Sequence, residues 1–336
     1  MALLHFDGFD NYSNYTDCGS IYTLDNTSYT SLVSGGRFPT SSKCIYGWDW
    51  RGLWYVLDSP KTTLFTGIAF YLTNVANYGG NPIFWFTNTD GQTQLQIKIS
   101  TAGVIYAYTN SNLGSASKTV TSNRWYYLSV GVTFSDTTGA VQIYLDGEEI
   151  LNLTNVDTQA NGNLECQTIK FESPSRYGYL DDFYVADDSG TVNNTIIPEV
   201  KVISLAPNAD TTQKDFLPST GTDNYAMIDE ASQDGDSSYV YSSYTGDEDL
   251  YEFEDLPADV SSVKGIKTMA KARKTDADIV QSEFVINSNS IENTSNSFNQ
   301  STTYVVQSSI FNLDPNGDIE WTPSSVNSLK AGLKTV

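Results

Sequence analysis

From 124 to 150, hydrophobic and polar residues alternate with a period of two. Trp125, Tyr127, Ser129 and Gly131 fall on one side, and Tyr126, Leu128, Val130 and Val132 on the other. Val141, Ile143 and Leu145 then share a face, and Asp146-Gly147 closes the stretch with a turn that tolerates positive φ. Two such stretches in succession predict long paired strands in a two-sheet all-β sandwich. Shorter runs of the same kind lie in the opening LLHFDGF and at 64–72, 82–86, 95–100, 104–108, 167–171 and 178–186. Turns rich in Gly, Asn and Asp separate them, such as Asn88-Thr89-Asp90-Gly91. Trp85 and Trp125 sit inside these runs and are expected in the core.

The pattern divides the chain. Residues 1–188 form a first β unit. Gly190, Asn193, Asn194 and Pro198 interrupt regular structure over 189–199, which predicts a linker. Residues 200–336 form a smaller β-sandwich, with strands expected at 200–205, 265–272, 282–286, 303–311 and 332–336. Ser and Thr caps predict a helical turn or two at 323–330. The acidic stretch 247–259 admits two readings, a solvated loop or a contact for a basic partner.

Composition narrows the class. Of 336 residues, 39% are hydrophobic and 17% charged, enough for a packed core without disorder. Lys and Arg total 18 against 40 Asp and Glu, a net charge of −22. That balance repels phosphate backbones and anionic lipid, so neither nucleic acid nor a membrane is an expected partner. No apolar run approaches the roughly 20 residues that span a bilayer. The three cysteines, Cys18, Cys44 and Cys166, lack the spacing of a disulfide framework and are expected as buried free thiols. The opening MALLHFDGFD has neither the basic nor the apolar region of a secretory signal, so synthesis in a reducing cytoplasm is expected.

Four stretches of the first unit carry a family likeness: HFDGFDNY at the start, SGGRFPTSSKCIYGW at 34–48, RWYYLSVGVTF with VQIYLDGEE at 124–149, and YLDDFYVAD at 179–187. In order and spacing they resemble the concanavalin A-like, laminin-G-like jelly roll. The stretches 207–230, 249–278 and 319–336 resemble a module that follows such domains in virion proteins of tailed phages and prophages. The resemblance implies a non-enzymatic structural component of a phage particle, at the tail or as head decoration. Its partners would be other virion proteins and copies of itself, with host-surface glycan held through a displayed jelly roll. The rival implication is a carbohydrate-active enzyme or its accessory glycan-binding module.

Candidate chemistry is sparse. Glycoside hydrolases of this fold carry Glu-X-Asp-X-X-Glu on one strand, a spacing absent here. Glu148-Glu149 and Asp181-Asp182 are adjacent pairs, which point to opposite faces of a strand. His5 is the only histidine and reads as a packed strand residue, and no clustered Cys and His suggest zinc. No cofactor is expected, with one exception. Jelly rolls of this kind often hold Ca²⁺, and Asp7, Asp181 and Asp182 are the candidate oxygen ligands, with Asp10 nearby. For glycan binding the candidate is YGWDWRGLWYVL, 46–57. If extended, Tyr46, Trp48, Trp50 and Trp54 share one face with Gly52 between them, and Asp49 and Arg51 fall on the other. The same rings also suit a core or subunit interface, because burying one Trp is worth about 4–6 kcal/mol at most.

Overall fold

The computed structural model describes the chain apart from residues 1, 26–27, 39–42, 48–50, 78–79, 173–177 and 231–232. It is all-β and divides into two compact units, residues 1–10 with 14–202 and residues 11–13 with 203–336. The first is a jelly-roll sandwich of two antiparallel sheets, its strands numbered along the chain. The eight-stranded sheet runs β13 (Glu148–Val156), β12 (Gly139–Leu145), β11 (Trp125–Thr133), β6 (Thr63–Leu72), β15 (Gly178–Asp187), β4 (Lys43–Gly47) and β3 (Thr30–Ser34), with β1 (Leu3–Asp7) also paired to β15. The seven-stranded sheet runs β10 (Asn112–Thr119), β9 (Val104–Tyr108), β8 (Thr93–Ile99), β7 (Pro82–Thr87), β14 (Cys166–Glu172), β5 (Gly52–Lys61) and β2 (Thr23–Leu24).

The alternation predicted for 124–150 is realised. Leu128 pairs with Leu145 and Ile68, and Val130 with Ile143, so the aliphatic residues share the inner face. Facing them, Leu53, Phe84, Phe86, Ile97, Ile169 and Phe171 supply the inner side of the other sheet, all fully buried. Phe171 stacks on Phe183 at 4.3 Å, and Tyr22 meets both rings edge-on. His5 lies in the same interior, stacked on Tyr55 at 4.6 Å and hydrogen-bonded to the Tyr22 hydroxyl at 2.8 Å. Cys18, Cys44 and Cys166 are buried free thiols.

The outer face of β11 is buried too, and small residues explain how. Gly67, Ser129 and Gly131 leave a trough beside Tyr127 and Tyr184. A Cβ at Gly67 would lie 2.5 Å from the Tyr184 ring, so only glycine lets that ring cross the sheet. Residues 196–200 fill the trough. The Tyr184 hydroxyl donates to the Ile197 carbonyl at 2.8 Å, and Ser129 Oγ donates to the Pro198 carbonyl at 3.0 Å. Part of the stretch expected as a linker therefore packs on the sheet of the first unit. The strand expected at 200–205 does not form. Its backbone bonds to side chains instead: the Val202 N–H donates to Asp182 Oδ1, and Arg37 donates to the Val200 carbonyl.

The second unit layers a two-stranded ribbon, β20 (Ile266–Ala272) with β24 (Val305–Phe311), against a six-stranded sheet. That sheet runs β16 (Pro207–Lys214), β19 (Glu248–Phe253), β25 (Lys330–Thr335), β21 (Gln281–Ser288) and β22 (Ile291–Thr294), with β23 (Phe298–Asn299) beside β21. Between the layers sit Phe284, Ile286, Phe311, Trp321, Val326 and Leu329. A further pair, β17 (Leu217–Pro218) with β18 (Val240–Tyr241), lies apart from these sheets. The short α1 (Pro323–Asn327) starts at a Thr322 capping box with Pro at its first turn.

The acidic stretch 247–259 corrects a sequence expectation. Its first half is not a loop but the interior strand β19, in which Glu248, Asp249, Leu250 and Tyr251 are all buried. Asp249 accepts from the Phe216 N–H at 2.6 Å, the Asn224 side-chain amide at 2.5 Å and the Tyr251 hydroxyl at 2.8 Å. Charge concealed the strand because its carboxylates are satisfied from inside the fold. Asp249→Ala leaves those donors without an acceptor and is expected to cost about 3 kcal/mol or more. A lowered urea midpoint checks this.

Candidate functional site

In the seven-stranded sheet, residues alternating with the core face outward. Their cross-strand register places a single row across the whole sheet: Thr23, Trp54, Lys170, Trp85, Gln96, Tyr108 and Asn112. Each is the direct partner of the next, at the spacing where side chains on one face touch. Trp54 on β5 and Trp85 on β7 flank Lys170 on β14, two strand spacings apart, or about 9.6 Å. One step along, Lys98 pairs with Tyr106 and Glu172 with Gly52.

The contacts mix rings with charge. Lys170 Nζ lies 4.1 Å from the Trp54 ring, and Lys98 Nζ 4.0 Å from the Tyr108 ring. Trp85 Nε1 donates to Glu172 Oε2 at 3.0 Å, and Arg51 donates to both carboxylate oxygens of Asp25, at 3.1 and 3.3 Å. Trp54 Nε1 has no hydrogen-bond partner among the described residues. Burial lowers the Lys98 ammonium from its ordinary value. Burial also pushes the Glu172 carboxyl up to about 7, against the opposing effects of the Trp85 donor, Lys170 and Arg51.

This shift carries a stability prediction. Below its ordinary 4.5 Glu172 is protonated in both folded and unfolded chains, and well above 7 it is ionised in both. Between those limits the folded state holds more protons, so the contribution of Glu172 to stability falls as pH rises. Glu172→Gln keeps an acceptor for Trp85 and removes the titration. Melting temperatures at about pH 5 and about pH 8 are expected to differ less in this variant than in the parent.

The predicted aromatic face is not one face. Tyr46 lies on β4 of the eight-stranded sheet and Trp54 on β5 of the other, because the chain changes sheet between Gly47 and Gly52. Trp48, Asp49 and Trp50 lie outside the described residues. Arg51 is not simply solvated, since it pairs with Asp25. Tyr46 joins a second aromatic row, Tyr46, Tyr179, Tyr71 and Trp125, with successive centroids 5.3 to 5.7 Å apart. A shallow cavity of about 320 Å³ opens there, lined by Gly35, Tyr71, Thr73, Trp125 and Tyr179. Trp85, expected in the core, faces outward, half-buried between Lys170 and Gln96. Lys170 and Gln96 were missed. Their signal is the alternation in CQTIKFE and TQLQIKI, where polar residues separate core residues.

Asp7, Asp181 and Asp182 are buried, and each carboxylate oxygen meets a donor of the chain. Asp7 accepts from the Phe9 N–H and the Tyr22 hydroxyl. Asp181 accepts from the backbone N–H groups of Arg37 and Asp182. Asp182 accepts from the Val202 N–H and faces the Arg37 guanidinium at 3.4 Å. Asp182 has φ 49° at a bulge in β15, and both carboxylates meet Arg37, that of Asp181 at the Arg37 backbone N–H and that of Asp182 at the guanidinium. A cation here would have to displace these donors. Among the described residues no three or more His, Cys, Asp or Glu side chains are grouped to hold a metal ion, and no helix is long and apolar enough to cross a membrane.

Fold and face together define an all-β jelly-roll sandwich whose seven-stranded sheet carries an outward aromatic and cationic row. No family model matches the chain, and no curated protein sequence does. Solved structures similar to it include an endo-β-1,4-glucuronan lyase from the fungus Trichoderma reesei, 12% identical over 54% of this chain and 94% of that one, TM-score 0.36. An alginate lyase is 17% identical over 55% and 97%, TM-score 0.40. A carbohydrate-binding module from Bacillus subtilis is 11% identical over 49% and 95%, TM-score 0.33.

Proposed function

We propose that the first unit binds glycan on the outer face of its seven-stranded sheet and that the chain acts by attachment, not catalysis. The supporting observation is the register that aligns Trp54, Lys170, Trp85, Gln96 and Tyr108. A pyranose has C–H faces that stack on rings and a rim of hydroxyls that needs hydrogen-bonding groups, and this row offers both. The Tyr46 row has a cavity, but its rings pack mainly on one another. In the same proposal the chain is a component of a tailed-phage particle, where many copies turn weak contacts into avidity. The sequence resemblance supports that part. A glycan array probed with the full chain tests the reading: bound glycans support it, and no binding to any sugar sinks it.

A second reading, a carbohydrate-active enzyme, draws on Glu172, whose carboxyl titrates near neutrality beside Asp25. That reading predicts release of reducing ends from a bound polysaccharide, and attachment alone predicts none.

A further inference from the structure

We infer that the glycan taken by this face is anionic, bearing carboxylate or sulfate groups that Lys170 and Lys98 receive. The inference rests on the glycan-binding reading and goes one step further, to the class of sugar. Its first ground is charge placement. The chain carries a net charge of −22, so cations are scarce on it. Yet Lys170 and Lys98 both project from this face, and neither makes an ion pair with a described residue. Lys61, Lys118, Lys214 and Lys334, elsewhere on the protein, each pair with a carboxylate, whereas Lys201 and Lys330 do not pair with a described residue. What sets Lys170 and Lys98 apart is that both stand on one aromatic face.

The second ground is position. Lys170 stands between the two indoles in the register and lays its ammonium 4.1 Å from the centroid of the Trp54 ring, beside the path of a sugar bridging Trp54 and Trp85. Lys98 rests on the Tyr108 ring, and Tyr108 is the cross-strand partner of Gln96. Both side chains are partly buried and both ammonium groups rest on aromatic rings, 4.0 and 4.1 Å from the centroids, where an anion is held by cation and ring together. Lys170 has Glu172 two residues along β14, whose carboxyl is pushed up to about 7 and so is only partly ionised near neutrality. Lys98 has no ion-pair partner among the described residues. A neutral sugar would therefore bury both ammonium groups with little compensating charge. The negative charge over the rest of the chain repels a polyanion, which leaves this face as the place where one can settle.

The test is affinity electrophoresis of the full chain in gels containing polygalacturonate, alginate or dextran sulfate. Each is compared with a neutral counterpart: carboxyl-reduced polygalacturonate, carboxyl-reduced alginate and unmodified dextran. Retardation is expected only by acidic members, and the carboxylate and sulfate gels separate the two sources of charge. Lys170→Met keeps the aliphatic stem and is expected to weaken retention about tenfold, while Lys170→Arg retains most of it. Should Lys170→Met unfold, salt gives the same answer. Raising it from about 50 to about 500 mM must release the parent chain from acidic gels. Equal retention by acidic and neutral members, or retention indifferent to both salt and Lys170→Met, overturns the inference while glycan binding stands. No retention by any polysaccharide, acidic or neutral, overturns both.

Discussion

Replacing Trp54 and Trp85 together by alanine abolishes glycan retention and leaves a cooperatively folded protein. The two rings lie on strands either side of β14 and form the aromatic part of the row. A stacked ring at the centre of a binding surface contributes on the order of 1–2 kcal/mol, so each single variant should lose about tenfold in affinity and the double variant about a hundredfold. Stability should change far less. Both rings face outward and are half-buried, while the inner face keeps Leu53, Phe84, Phe86 and Phe171. Each truncation is expected to cost about 1 kcal/mol of folding stability. Titration with a retained polysaccharide, beside thermal melts of the same samples, checks both halves.

Gly52→Ala is expected to damage fold and face at once. A Cβ at position 52 would lie 1.9 Å from the Phe171 carbonyl oxygen and 2.8 Å from Glu172 Cα. Both are backbone atoms of β14, so no side-chain rotation relieves the clash. β5 must move away from β14, and with it Trp54 leaves Lys170. The Tyr15 hydroxyl, which donates to the Gly52 carbonyl at 2.9 Å, loses its partner too. The expected cost is about 3 kcal/mol, at the upper end of what a forced overpacking costs. A fall in melting temperature with loss of glycan retention is the predicted result, and an unchanged melting temperature would show that the strands are not packed this closely.

The sheets of the first unit were legible where burial follows a period of two, as in β9 and β12, and where apolar residues run unbroken through strands buried on both faces, as in β6 and β11. Two situations hid the rest. β10 and β13 are polar edge strands, NLGSASKT and EEILNLTNV, with little apolar signal to read. β19 carries its charge inside, where hydrogen bonds and an ion pair to Lys334 replace water. The candidate site was legible only at Trp54. An unbroken aromatic run from 46 to 57 suggests one strand, yet the chain crosses between sheets within it. The face is assembled across strands instead. Trp54, Trp85 and Lys170 are far apart in sequence, and only pairing of β14 with both β5 and β7 makes them neighbours. No local pattern carries that information.

The central claim is the location of the sugar. A crystal structure of the chain soaked with an acidic tetrasaccharide measures it directly. The predicted result is electron density for the sugar rings across Trp54 and Trp85, with an anionic group against Lys170. Density on the Tyr46 and Tyr179 row of the other sheet, or on the second unit, with Trp54 and Trp85 left bare, would contradict it.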